Sequence, residues 1–296
     1  MSLLIDPPRW PAHGTVFSHL VSDSSLEELH QFALALGISR RAFDRDHYDV
    51  PRERYAEIVA AGAHEVSGGE LARALARSGL RIAARLRPER LDPALRKRWE
   101  RTFPGQSELA TALLSKWSQE HRYYHDRVHL LAVLEALDSL CGTQVSEQDR
   151  QILELAAWFH DAVYEGQSTD EQDSAQLAGQ CLQGLLPDHT VASIQRLIML
   201  TSTHQPQAGD LLGALLCDAD LEVLARPATA YQRYTQAVRA EYAHVSEPDF
   251  ARGRSKILRE LLDKDQLFGT AQARQRWESV ARSNLSAELE QLSTQF

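Results

Sequence analysis

Two histidines four residues apart, His125 and His129, belong to the segment Tyr123-Tyr124-His125-Asp126-Arg127-Val128-His129, which runs on into Leu130, Leu131, Val133 and Leu134. On a helix, residues four apart project from one face, so the two imidazoles would address one ligand. Further along, His160 and Asp161 follow the apolar Trp158-Phe159 as an adjacent imidazole and carboxylate. A third polar break, Asp218 and Asp220, interrupts Leu215-Leu216-Cys217-Asp218-Ala219-Asp220-Leu221. Ionisable groups in such sequence are expensive to bury unless a metal or hydrogen bonds compensate them. Imidazole and carboxylate together suit Zn²⁺, Fe, Mn²⁺ and related ions, and four protein ligands leave positions for water and substrate.

These residues need helices to position them. Ile152, Leu155, Ala156 and Phe159 keep an i, i+3, i+4, i+7 stripe, and Ile257, Leu258, Leu261 and Leu262 give a two-turn face, so an all-α unit is predicted from Ser107 onward. The opening segment reads differently. Ser2 to Asp6 is a short apolar run stopped by Pro7 and Pro8, and Ser25 with Glu28 predicts a capping box for a helix that ends at Gly37. Strands are predicted over 42–50 and 64–67, and helices over 52–61 and 69–77, giving a small α/β unit at 1–83. Residues 81–101 carry eight basic and three acidic side chains with prolines at 88 and 93, so a basic linker is predicted over 84–104. The fold expected is mainly α: the α/β unit, the linker, a helical domain over 105–275 and a helical extension over 276–296.

The order H…HD…D on helices resembles the HD superfamily of metal-dependent phosphohydrolases, and within it a bacterial branch of predicted phosphohydrolases. The resemblance implies His129, His160, Asp161 and Asp220 as metal ligands and a divalent ion (Mn, Mg, Zn, Fe, Co or Ni), one or two in number. Cyclic-nucleotide phosphodiesterases, a distant branch, place a proton-donating histidine four residues before the first metal histidine. That similarity implies His125 as the general acid, although Asp126 stands where the branch has asparagine. Their Ala-Asp-Leu favours Asp220 over Asp218. The activity implied is hydrolysis of a small phosphoester by metal-activated water, with Asp161 also orienting the nucleophile. A nucleotide, a 2',3'-cyclic or terminal phosphate, or a short RNA end is the expected substrate. His204, His189 and Glu171 are the candidates for a second ion or for substrate, and Arg239 and Arg254 for phosphate. Two other readings stay open: an HD-type di-iron oxygenase and a non-catalytic nucleotide sensor.

Residues 1–83 resemble a small bacterial domain family of unestablished function. Asp6, His13, His19, Asp44 and His47 could form a second metal or nucleotide site there, or they could simply cap helices and fill polar turns. No phosphate-binding glycine loop or nucleophile elbow occurs, which leaves ATP-dependent and serine-hydrolase chemistry without support.

Composition bounds the rest. With 43% apolar residues, 25% charged residues and a formal charge of -9, the chain is an ordinary globular sequence, unsuited to coating duplex nucleic acid. No apolar run approaches the roughly 20 residues of a membrane span. Without a basic leader or cleavage pattern, a cytoplasmic setting is expected. Cys141, Cys181 and Cys217 lie too far apart for a zinc knuckle and read as inert thiols.

Overall fold

The structure, a computed structural model, describes residues 2–12, 14–44, 46–78, 80–81 and 88–294. It is mainly helical, with 13 α-helices and a mixed sheet of six strands among the described residues. Backbone contacts cluster into two compact units, Met1–Arg87 and Pro88–Phe296.

In the N-terminal unit the elements run β1 (Leu3–Ile5), β2 (Trp10–Ala12), β3 (Thr15–Ser22), α1 (Leu26–Ala35), β4 (Phe43–Asp44), β5 (His47–Pro51), α2 (Tyr55–Ala60), β6 (His64–Glu65) and α3 (Gly68–Arg77). The sheet order is β4-β5-β3-β1-β6 with β2 also on β3, and only β1 and β6 pair in parallel. Successive side chains of a strand face opposite ways. Leu20 of β3 therefore joins Ile5, Leu29, Ala33, Tyr48 and Ile58 in one core, while Val21 joins Leu4, Leu71, Ala74 and Leu75 in another. Helices α1 and α2 thus cover one face of the sheet and α3 the other. The capping box predicted for α1 is half formed: Ser25 accepts from the Glu28 N–H, but the Glu28 carboxylate takes the hydroxyls of Ser22 and Ser24 instead. The strand expected over 42–50 is a hairpin of two short strands, β4 and β5.

The helical unit contains α4 (Pro88–Thr102), α5 (Ser107–Lys116), α6 (Arg127–Leu140), α7 (Glu147–Phe159), α8 (Asp170–Leu182), α9 (Asp188–Thr201), α10 (Leu211–Asp220), α11 (Ala228–Glu241), α12 (Glu247–Leu262) and α13 (Ala271–Thr294). Its centre is α7, buried without interruption from Ile152 to Phe159, with buried Glu154 accepting the Thr102 hydroxyl. Helices α6, α9 and α10 pack around it. Two expected boundaries fall elsewhere. The described part of the basic 84–104 segment is largely helix α4, whose Leu91, Leu95 and Trp99 are buried, with the Trp99 ring edge-on to Trp158 at 5.0 Å. Helix α13 runs through the 275/276 boundary and buries Ala273, Trp277, Ala281 and Leu285 on one side. Among the described residues no helix is long and apolar enough to cross a membrane. Cys217 is buried and Cys141 and Cys181 half-buried; burial pushes all three thiols up, Cys217 to about 12, so they stay protonated and unreactive.

Candidate metal centre

Four ionisable side chains of the helical unit meet at helix ends. His129 lies in the first turn of α6, His160 caps the C-terminus of α7 with Asp161 next to it, and Asp220 is the last residue of α10. The His129 and His160 Nε2 atoms are 3.2 Å apart. Asp161 Oδ2 lies 3.2 Å from the His160 Nε2 and 3.6 Å from that of His129, while Asp220 Oδ1 lies 3.6 and 3.1 Å from the same atoms. Both histidines are buried, and the Trp117 ring packs against them. His129, His160 and Asp161 form a group that could hold a metal ion. The C-termini of α7 and α10 both end here, and the partial negative charge of their last carbonyls favours a cation. Burial opposes ionisation of Asp161 and Asp220, but the charge of His160 and hydrogen bonding with His129 and His160 outweigh it and hold both carboxyls below their ordinary range.

The two imidazoles restrict how the site can be neutralised. His160 Nδ1 lies 2.8 Å from the Ala157 carbonyl, which can only accept, so Nδ1 carries a proton and donates it. If both Nε2 atoms carried protons, two N–H groups would face each other across 3.2 Å, and if neither did, two lone pairs would; a single proton there is shared with the other ring or a carboxylate. A cation among these four groups satisfies the lone pairs and both carboxylates at once.

His125 is not on the helix. Asp126 takes the N-cap of α6, accepting from the N–H groups of Val128 and His129, which places His125 one residue before it. The two rings still lie 5.7 Å apart, because the loop and not the helix face brings His125 in. That loop is held by Glu241 at the end of α11. One of its oxygens accepts the N–H groups of Tyr123, Tyr124 and His125, and the other accepts His125 Nδ1–H at 2.8 Å and the Tyr164 hydroxyl at 3.0 Å. Buried Arg122 donates to the carbonyls of His125, Asp161 and Ala162, tying this loop to the turn after α7 that carries Asp161. Motif reading assigned no role in the site to Arg122, Tyr164 or Glu241. Nothing in the spacing marks them, since their partners are mostly backbone atoms or lie far off in sequence.

Glu241 supplies a pH test. Burial would raise its carboxyl, but the hydrogen bond and charge of His125 and the backbone N–H groups hold it at about 2, against an ordinary 4.5. Its contribution is therefore fully present above about pH 5 and lost as pH falls toward 2, a span worth roughly 3 kcal/mol. Denaturant titrations of Glu241→Gln should show a shallower loss of stability over that window than wild type. An equally steep loss would mean that the carboxylate is not held this way.

Other expected site residues fall differently. His204, just beyond α9, reaches the far oxygen of Asp220, with Nε2 2.8 Å from Oδ2, and adopts a left-handed backbone with φ of 49°. Glu171 is half-buried, and besides burial the charges of Asp161 and Asp170 push its carboxyl up. His189 is exposed in the first turn of α9, away from this group. Asp218 accepts the N–H groups of Gly269 and Thr270 and fastens the start of α13, leaving Asp220 as the aspartate at the histidines. The two arginines expected to bind phosphate are committed elsewhere. Arg239 bonds to Glu247 and to the carbonyls of Tyr242 and Val245, and Arg254 forms a buried two-bond pair with Glu288.

In the N-terminal unit a second group assembles. His19, His47 and Asp49 could also hold an ion, and Asp6 accepts from the His19 ring. Asp44 pairs with His47 across the β4–β5 hairpin but is not in that group, and His13 lies outside the described residues. Asp49 was missed, because only strand register brings it to His19. Residues 3–78 match the family model described as a protein of unknown function, DUF4031. The chain thus carries an N-terminal DUF4031 domain followed by a helical region. No curated protein and no solved structure matches the chain.

Proposed function

We propose that the helical unit is an HD-type metal-dependent phosphohydrolase acting on a nucleotide or related small phosphoester. The observation that carries this reading is the pair of buried Nε2 atoms 3.2 Å apart, each flanked by an oxygen of Asp161 and of Asp220. Two imidazoles and two carboxylates are a donor set suited to Mn, Fe, Co, Ni or Zn, and they would hold the ion. When bound, a divalent ion there polarises a phosphoryl oxygen and makes water acidic enough to attack near neutral pH. His125 supplies the proton. With Nδ1–H committed to Glu241, its Nε2 is the atom left to protonate a departing alkoxide, an effect typically worth about a hundred- to ten-thousand-fold. Glu241 and Arg122 keep that ring in register with the ligands by fixing the loop backbone.

The experiment is elemental analysis of the purified chain, followed by a phosphate-release screen over nucleotides, cyclic phosphates and RNA ends with each divalent ion. Ion-dependent cleavage of one class is expected. A chain that binds metal but cleaves no phosphoester with any ion sinks the reading. A second ion, and with it the di-iron oxygenase, is favoured by one observation: His204 on the free oxygen of Asp220. Iron at two equivalents, falling to one in His204→Ala, with oxygen uptake and no phosphate release, would establish that alternative.

A further inference from the structure

We propose that the N-terminal unit binds its own divalent first-row transition-metal ion through the Nε2 atoms of His19 and His47 and the carboxylate of Asp49, independently of the helical unit. The site follows from strand register. His19 of β3 is the direct partner of Asp49 on β5, and His47, two residues before Asp49, faces the same way. The His19 and His47 rings are edge to face with centroids 4.8 Å apart.

Each imidazole is oriented by a carboxylate of its own. His19 Nδ1–H donates to Asp6 Oδ2 at 3.2 Å, and His47 Nδ1–H donates to Asp46 Oδ1 at 2.6 Å. Asp6 is itself fixed, accepting the His19 backbone N–H and the Trp10 indole N–H. A carboxylate on one ring nitrogen fixes the ring and aims the other nitrogen at a metal, and here the arrangement occurs twice. The two prepared nitrogens converge on one atom: Asp49 Oδ1 lies 3.5 Å from the His47 Nε2 and 3.9 Å from that of His19. Those separations are too long for good hydrogen bonds. The shorter is close to the roughly 3.4 Å edge of a tetrahedron of ligands about 2.1 Å from a central ion, and the longer lies about 0.5 Å beyond it.

Three protein ligands leave positions open, and the group lies beside open space. A cleft of about 700 Å³ is lined by His19 and His47 with Asp6 and Asp46, and beyond them by Arg9 and Trp10. Gly68 lets the first turn of α3 approach this wall, since a Cβ there would lie 3.3 Å from Asp6 Oδ2.

Co²⁺ binding to the full chain, followed by equilibrium dialysis and visible absorption, tests the site. Asp49→Asn should lose one equivalent of Co²⁺, both in the wild-type background and in His160→Ala, which separates this ion from any in the helical unit. Because Asp49 is partly exposed, the variant should keep the wild-type circular dichroism. Asp46→Asn should keep the stoichiometry at saturation but weaken binding by about 10- to 100-fold. Full Co²⁺ retention by Asp49→Asn, or an unchanged affinity for Asp46→Asn, overturns the proposal.

Discussion

His160→Ala should strip the helical unit of its ion and abolish phosphoester turnover, while His125→Ala should keep the ion and lose only turnover. The two variants separate binding from chemistry. Loss of an orienting partner behind a metal ligand costs about 10- to 100-fold in affinity, so deletion of a ligand that faces both Asp161 and Asp220 should exceed that. Asp161→Ala should behave as His160→Ala does, because its Oδ2 lies 3.2 Å from the His160 Nε2. In His125→Ala the four ligand groups are untouched and the expected loss is in kcat, about a hundred- to ten-thousand-fold. His189→Ala is the control: the residue is exposed on α9, and metal content and rate should equal wild type. Metal content measured beside single-turnover cleavage checks all four. Full activity in a metal-free His160→Ala protein would end the hydrolase reading.

The parts of this site legible in the sequence were those whose placement contradicts burial. His129, His160, Asp161 and Asp220 announce themselves because each adjoins an apolar run, where an uncompensated charge is not tolerated. Their convergence was expected only from the family resemblance; the physical cause is that the C-termini of α7 and α10 meet the first turn of α6. His125 was put on the α6 face because i, i+4 spacing was applied across an N-cap. Asp126 carried the signal, since aspartate before an apolar run is a favoured cap. For Arg239 and Arg254 the hidden feature is the partner: an arginine's partner is invisible until helices pack, and here Glu247 and Glu288 engage them. The N-terminal group was half legible. Period two puts His47 and Asp49 on one face of a strand, but which residue stands opposite depends on register, and that is a property of two strands. In the basic segment, charge masked a stripe. Leu91, Leu95 and Trp99 recur at i, i+4, i+8, a helical core face that the eight cations around it concealed.

The buried pair Arg254 and Glu288 carries the largest expected effect on stability. Arg254 Nε and Nη2 donate to the two Glu288 oxygens at 2.7 and 3.0 Å, and the Tyr231 hydroxyl also donates to Glu288. The carboxylate thus joins α11, α12 and α13 through three donors, and both charged residues are under a tenth exposed. Glu288→Ala leaves a guanidinium and a phenol without this acceptor in a buried site, which costs about 3–5 kcal/mol for the charge alone. For a helical unit of this size the melting temperature should fall by on the order of 10 °C. Glu288→Gln should be nearly as severe, since it keeps the shape but not the charge. The pair as a whole is worth much less than this. Arg254→Met with Glu288→Leu and Tyr231→Phe removes every stranded group together, and should come within about 1–2 kcal/mol of wild type. The damage should also reach the metal centre. The Arg254 guanidinium lies over the Tyr234 ring at 5.2 Å, Tyr234 packs on Tyr124 at 4.7 Å, and Tyr124 packs on His129 at 4.7 Å. Helix α11 ends in Glu241, which fixes the His125 loop. A Glu288→Ala protein that remains folded at low temperature should therefore bind its ion more weakly, and the triple variant should recover much of that affinity. Equal melting temperatures for Glu288→Ala and the triple variant would mean that the stranded charge finds water, and that the three helices are not locked through this carboxylate.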